Sequence, residues 1–348
     1  MLKTKTSCWM TSVVKLNRLV KTGLLALFLV VYGCDSGPSS TFIDGATMGT
    51  TYHITVVSDE VVDRQWLKQQ IDGVLISVND AMSTYQSDSE LSRINRSELT
   101  TFSTSVALSN VLDTALSICA QAPSHYDVTI GPLVNLWGFG PSRRGEDSPT
   151  ALQISEALSR VGCDQVSLDN QHLTRPAGMY IDLSSIAKGY GVDLVSHELE
   201  KLGYSHYMVE IGGEVFAKGY NEHGRIWTIG VERPSLEVGA PVVAVALDSS
   251  GLATSGDYRN FFIEGEQRYG HTISPQTGFP IQHNTLSVTV LAPTAMEADA
   301  WATALNSAGV EAGIKIATDL DLAALFIYAE AGELQTLASP LFTELTEQ

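Results

Sequence analysis

Basic residues are scarce in this sequence: 21 Lys+Arg stand against 39 Asp+Glu in 348 residues, a formal net charge of −18. A surface of that sign repels a phosphate backbone, which excludes sequence-independent nucleic-acid binding. Cysteine is nearly absent, and four in a chain of this length do not make a disulfide scaffold. The apolar run Leu24–Tyr32 has nine residues, well short of the roughly 20 that span a bilayer. Several nucleotide and catalytic signatures are missing: G-x-x-x-x-G-K-[ST], a strand-to-helix G-x-G-x-x-G, G-x-S-x-G, H-E-x-x-H and C-x-x-C. These absences disfavour a P-loop NTPase, a Rossmann dehydrogenase, a zinc protease and a thioredoxin-like protein. With 44% hydrophobic and 17% charged residues, the chain is not disordered, collagen-like or coiled-coil. What remains is an acidic globular enzyme or binding protein.

The first residues differ from the rest. Lys3, Lys5, Lys15, Arg18 and Lys21 precede the apolar run, and no acidic residue occurs before Asp35. A basic start, a short apolar core and a small residue before a cut describe an export signal. Val31-Tyr32-Gly33-Cys34 resembles a bacterial lipobox, which predicts removal of 1–33 and acylation of Cys34. Asp35 resembles the signal that retains such lipoproteins in the inner membrane. The expectation is therefore a lipid-anchored protein facing the periplasm. Its remaining sixteen basic residues against 39 acidic ones give −23. Cys119 and Cys163 are the cysteines left over. Pairing is open to them in an oxidising compartment, but buried apolar thiols are the favoured reading.

Residues 34–41 read as the lipidated cysteine with a Ser/Gly/Pro-rich tether, and 42–348 as one α+β unit. Alternation predicts a strand over 50–57, and helical spacing predicts helices over 63–82, 106–121, 150–161 and 186–202. Ser87–Glu90 reads as a capping box before another helix. Further strands are predicted at 165–168, 179–183, 206–211, 214–218, 226–232, 242–248, 259–264, 268–273, 285–292 and 322–329. Helices are predicted at 295–308 and 310–318.

Polar, glycine-rich segments carry the chemistry. Thr294 and Glu297 fit a capping box, which puts Asp299 and Thr303 one turn apart on one helix face. Two oxygen donors at that spacing suit Mg²⁺, although an isolated D-x-x-x-T is usually a solvated pair. Asp182–Gly191 reads as a strand turning into a helix, with Lys188 and free N–H groups favouring an anion and glycines permitting its close approach. Tyr85, Tyr126 and Trp137 are candidates to stack on a planar ring, though aromatics are more often core. His271, just before a Pro/Gly turn, is a candidate acid or base.

The order of these segments resembles the ApbE family, the FAD:protein FMN transferases. The shared segments are Met48-Gly49-Thr50-Thr51-Tyr52, Met82-Ser83-Thr84-Tyr85, Asp127–Gly140, Ala187-Lys188-Gly189-Tyr190, Gly212-Gly213-Glu214, Ser255–Asn260 and Ala298–Thr303. The resemblance implies the family's T-fold-like α+β architecture. It also implies Mg²⁺-dependent cleavage of FAD, with FMN joined to a Thr or Ser hydroxyl of a partner protein and AMP released. By position, Asp299, Thr303 and the Ser185 carbonyl would hold Mg²⁺. Met48, Tyr85, His125, Tyr126, Asp127, Asp182, Lys188 and Ile273 would line the FAD site, and His271 would activate or orient the acceptor. Ser274 stands where the family usually has Asp. Implied partners are periplasmic flavoprotein subunits such as those of the Na⁺-translocating NADH:quinone reductase. Two alternatives stay open: an FAD pyrophosphatase releasing free FMN, and a non-catalytic flavin-binding lipoprotein.

Overall fold

The structure, a computed structural model, describes residues 37–141, 148–234, 241–256, 261–264 and 267–346, with 261–264 and 267–269 known by backbone alone. The leader and Cys34, the polar stretch 142–147, and Asp257–Asn260 of the Ser255–Asn260 segment lie outside the described residues.

The strands are β1 (Ser39–Thr47), β2 (Thr50–Ser58), β3 (Thr101–Ser103), β4 (Ser167–Asp169), β5 (His172–Thr174), β6 (Tyr207–Ile211), β7 (Glu214–Lys218), β8 (Trp227–Val231), β9 (Val243–Leu247), β10 (Ser250–Gly256), β11 (Phe261–Glu264), β12 (Gln267–Gly270), β13 (Thr285–Ala292), β14 (Ala323–Glu330) and β15 (Glu333–Ala338). The helices are α1 (Arg64–Met82), α2 (Glu90–Arg96), α3 (Val106–Gln121), α4 (Gly131–Trp137), α5 (Ala151–Leu158), α6 (Ala187–Lys201), α7 (Ala295–Asp319) and α8 (Pro340–Thr346). The mixed helix-and-sheet class expected from the sequence is the class observed.

Eight strands form one antiparallel sheet in the order β1-β2-β6-β7-β10-β13-β14-β15. Strand alternation sends side chains to two cores. Tyr52, Ile54 and Val56 of β2 and Tyr207, Val209 and Ile211 of β6 face α1 and α6, meeting Leu67, Ile71, Leu75, Val192, Val195 and Leu199. Val215 and Ala217 of β7, Leu252 of β10 and Leu325 of β14 face the opposite way, under the β8–β9 hairpin and Phe342 of α8. A third core joins α3, α7 and the inner face of β13. Among the described residues no helix is long and apolar enough to cross a membrane.

Several local readings change. The segment read as a tether already enters β1 at Ser39, which pairs with Ser58. Residues 179–183 form no strand: Ile181 and Asp182 give their N–H groups to the Asn95 side chain and the Val128 carbonyl instead of to a ladder. Ser89, not Ser87, caps α2, accepting the Ser92 N–H. The helices expected at 295–308 and 310–318 are the two halves of α7, separated at Gly309, whose φ of 75° breaks the helical run. The short helix α4, with Pro at its start, follows no apolar period long enough to be read.

Cys119 and Cys163 form a disulfide, correcting the reading of them as buried thiols. It ties α3 to the turn Cys163–Gln165 across 44 residues of sequence. Closing a loop of that size stabilises the fold by about 2–4 kcal/mol, largely through the unfolded chain. Reduction with a phosphine, or a Cys119→Ser/Cys163→Ser double substitution, is expected to lower the urea midpoint by a corresponding amount. An unchanged midpoint in both would refute the linkage.

Candidate active site

A cavity of about 1610 Å³ opens where the β1–β2 turn, the C-terminal half of α1, the segment preceding α4, the starts of α6 and β7, and the N-terminal half of α7 converge. The twelve residues that the resemblance assigns to the metal, the FAD site and the acceptor all line it: Met48, Tyr85, His125, Tyr126, Asp127, Asp182, Ser185, Lys188, His271, Ile273, Asp299 and Thr303.

The centre of the site is the crossing of α6 and α7. A Cβ on Gly189 would fall on the backbone carbonyl of Ala295, and one on Gly251 of β10 would fall on the Ala295 nitrogen. Ala295 is thus clamped between two backbones, and it is fully buried. This close approach lets the Gly189 N–H donate to Asp299 Oδ2 at 3.0 Å. Ala187 N–H is likewise taken, by the Leu183 carbonyl. The N–H groups expected to await an external anion therefore include ones already committed within the protein, and Gly189 serves helix packing.

Lys188 Nζ lies 3.4 Å from Asp299 and 3.3 Å from Glu214 Oε1. Burial opposes its charge, but the two carboxylates outweigh that and hold its pKa above the ordinary value. Burial likewise pushes the Glu214 carboxyl up, against the pull of Lys188. Glu214 Oε2 is buried and accepts no hydrogen bond. Thr303 sits one turn beyond Asp299, capped as expected by Thr294, whose Oγ accepts the Glu297 N–H at 3.1 Å. Asp299, which is buried, half-buried Thr303 and the unsatisfied Glu214 oxygen line the cavity as an all-oxygen donor set, which fits a hard divalent cation. By contrast, Cys119, Asp127 and Cys163 cluster without a thiolate to offer, because both sulfurs are in the disulfide.

Around this centre, Ser185 Oγ donates to the Tyr126 hydroxyl at 3.0 Å. Burial chiefly raises the Tyr126 pKa, so its phenol stays protonated. Asp127 lines the cavity with its oxygens largely committed: Oδ1 accepts from Thr129 N and Oγ1, and Oδ2 from Cys163 N. It fixes the loop before α4 as well as facing the cavity. Asp182, nearly fully buried, accepts the Ser184 N–H at 2.8 Å and holds the turn into α6. Burial lowers the His125 pKa, favouring the neutral ring. Tyr85 is 69% exposed at the rim, its hydroxyl donating to the Phe139 carbonyl. The His271 ring meets Phe139 edge-on at 6.4 Å between centroids. Met48 occupies a two-residue hairpin turn with φ of 50°, followed by Gly49 at 74°, a primed turn in which a methionine is strained.

Trp137 is core, not a stacking platform: it is buried and its indole N–H donates to the Gly278 carbonyl. Ser274 keeps the turn that an Asp would make, its Oγ accepting the Thr277 N–H at 3.3 Å. Glu214 was legible only as part of Gly-Gly-Glu, with no role assigned. The usable signal was an acid opening a strand whose next residues are apolar.

Residues 48–326 match the sequence profile of the ApbE family. The chain is 41% identical over 333 residues to the FAD:protein FMN transferase of Haemophilus influenzae, covering 93% of this chain and 96% of that one. It is 39% identical to the Vibrio cholerae protein of the same name, covering 91% and 96%. Among solved structures, the flavin transferase ApbE from Vibrio cholerae superposes with a TM-score of 0.82 at 37% identity, covering 88% of this chain and 99% of that one. The apo flavinyl transferase ApbE of Pseudomonas stutzeri also gives 0.82, at 35% identity, covering 89% and 98%.

Because the clash at Gly189 is with backbone, Gly189→Ala must push α6 and α7 apart. It is expected to destabilise the protein by about 1–3 kcal/mol in urea unfolding. Gly73, with open space around its Cβ position, is the control site for an alanine that should not destabilise.

Proposed function

The chain belongs to the ApbE family, and on that premise we propose that it transfers FMN from FAD to a Thr or Ser hydroxyl of a target flavoprotein, releasing AMP. The observation that carries this reading is the convergence of twelve residues, from segments far apart in sequence, on one cavity. Asp299, Thr303 and the Ser185 carbonyl would hold Mg²⁺, which when bound neutralises charge on the pyrophosphate oxygens. The chain's own groups do the rest. Tyr126 and Asp182 shape the donor pocket, and Lys188 keeps Asp299 from being an isolated buried charge. His271 orients the acceptor hydroxyl and takes its proton as the oxygen bonds to the FMN phosphorus. The bond between the two phosphates breaks, and AMP carries the electron pair away.

The cavity, at about 1610 Å³, exceeds the roughly 300–1,000 Å³ of a pocket for a drug-sized ligand, which suits a donor as large as a dinucleotide. The lipobox-like Val31-Tyr32-Gly33-Cys34 supports a lipid-anchored enzyme on the periplasmic face of the inner membrane. Its targets would then be exported flavoproteins, of which the Na⁺-translocating NADH:quinone reductase subunits are the leading class.

Protein, FAD, Mg²⁺ and an acceptor domain are expected to yield acceptor heavier by FMN on a hydroxyl residue, with equimolar AMP. EDTA or Asp299→Ala should reduce the rate by at least 100-fold. Free FMN and AMP despite a competent acceptor would establish hydrolysis instead, and FAD binding without turnover would leave only a binding protein.

A further inference from the structure

Helix α6 turns two residues, one turn apart, toward the start of α7. The first is Gly189, whose N–H reaches Asp299. The second is Asp193. Its Oδ1 accepts the Ala295 N–H at 2.8 Å and its Oδ2 the Met296 N–H at 2.9 Å. With Thr294 taking the Glu297 N–H, the first three N–H groups of α7 are all satisfied.

We propose that Asp193 is a positioning residue for the metal-binding helix: by gripping the first two N–H groups of α7 from α6, it sets where Asp299 and Thr303 stand in the cavity. This inference rests on the reading of that pair as the Mg²⁺ site.

Two observations argue that Asp193 does more than cap. A helix N-terminus favours a carboxylate, but this one is partly buried and close to two others. Burial first, and then Glu297 and Asp299, push its pKa up to about 6, against the pull of the two N–H groups. A serine or asparagine would cap one N–H without adding a third acid. Only a carboxylate spans both. The second observation is leverage. Asp299 lies four residues beyond Ala295, about 6 Å along the axis, and Thr303 about 12 Å. Ala295 is clamped between Gly189 and Gly251, so the helix start cannot slide. Among the described residues, the polar ties from α6 to α7 are the Asp193 pair, the Gly189 bond and the Lys188–Asp299 ion pair, and of these the Asp193 pair grips the backbone of α7 itself.

The test uses the full-length protein with Asp193→Asn, which keeps one acceptor oxygen, and Asp193→Ala, which keeps none. Mg²⁺ is titrated against the thermal midpoint, and FAD binding in EDTA is followed by flavin fluorescence. Asp193→Ala is expected to raise the half-saturating Mg²⁺ concentration about 10-fold and Asp193→Asn about 3-fold. FAD affinity in EDTA should stay within 2-fold, and excess Mg²⁺ should restore transfer. A lower midpoint with unchanged Mg²⁺ half-saturation would make Asp193 merely structural and overturn the proposal. If the alanine variant does not fold, the same half-saturation in Asp193→Asn as in the parent overturns it. A parent protein that Mg²⁺ does not stabilise removes the metal reading itself, and this inference with it.

Discussion

Helices α6 and α7 meet where neither carries side-chain bulk, so close that a hydrogen bond passes directly from the backbone of one to the cavity-lining Asp299 carboxylate of the other. Much of the site depends on that approach. It needs glycine at 189 and at 251, because any Cβ there would strike the backbone of residue 295. It brings Lys188, in the first turn of α6, within reach of Asp299 on α7 and Glu214 on β7. Three elements from distant parts of the chain are thereby joined through one ammonium group. Removing a single partner from a buried ionic cluster costs about 3–5 kcal/mol, so the cluster is structural as well as chemical.

The remainder of the cavity is built on loops, and each is tied down by a polar group that also faces the cavity. Asp127 spends its oxygens on Thr129 and Cys163. Asp182 spends one on Ser184, while its own N–H goes to Val128. These bonds make one unit of the segment before α4, the turn into α6 and the Cys163 turn, and the disulfide fastens that unit to α3. A loop with few apolar contacts is ordinarily the least stable part of a domain. Here Val128, Ile181, Leu183 and Ile186 anchor the loops in the core, and carboxylates accepting backbone N–H groups add the polar ties. Residues of this kind look like ligand contacts in a sequence, because an acid beside glycine and threonine is what a binding loop contains.

Long periodic elements were legible for the usual reason: α1, α3, α6, β2, β6 and β13 bury one face, and burial imposes a period. The Thr294 cap and the Asp299/Thr303 spacing were legible because helix geometry is local. What failed was non-local. Residues 179–183 are apolar and β-like, yet their N–H groups go to Asn95 and Val128, partners that no window around residue 181 contains. Pairing of Cys119 with Cys163, 44 positions apart, depends on the fold of the segment between them. Asp193 sits beside Val192 in an apolar stripe, and its purpose becomes visible only when α7 lies across it. The same limit applied to Lys188, whose charge the sequence offered to a ligand and the structure first gives to two carboxylates.

That last difference changes the electrostatics of the proposed reaction. A lysine free to meet pyrophosphate would make the cavity attractive to an anion unaided. With Lys188 set between Asp299 and Glu214, and with Asp182 also facing the cavity, the local positive charge is already spent. Burial pushes Glu214 toward its neutral form, which lessens the excess of negative charge but supplies no attraction. The protein as a whole, with 39 acidic residues against 21 basic ones, adds a repulsive background. In the proposed reaction FAD would bring a doubly charged pyrophosphate into this environment, where a buried anion without a counter-charge is costly. A cation that enters with FAD or before it would therefore raise the cavity's affinity for it. The oxygen donors Asp299 and Thr303, with the unsatisfied Glu214 oxygen lining the same cavity, are the groups that would receive that cation. On this account the carboxylates around Lys188 weaken flavin binding until the cation joins, so that the cation would complete both the pyrophosphate site and the charge needed for transfer.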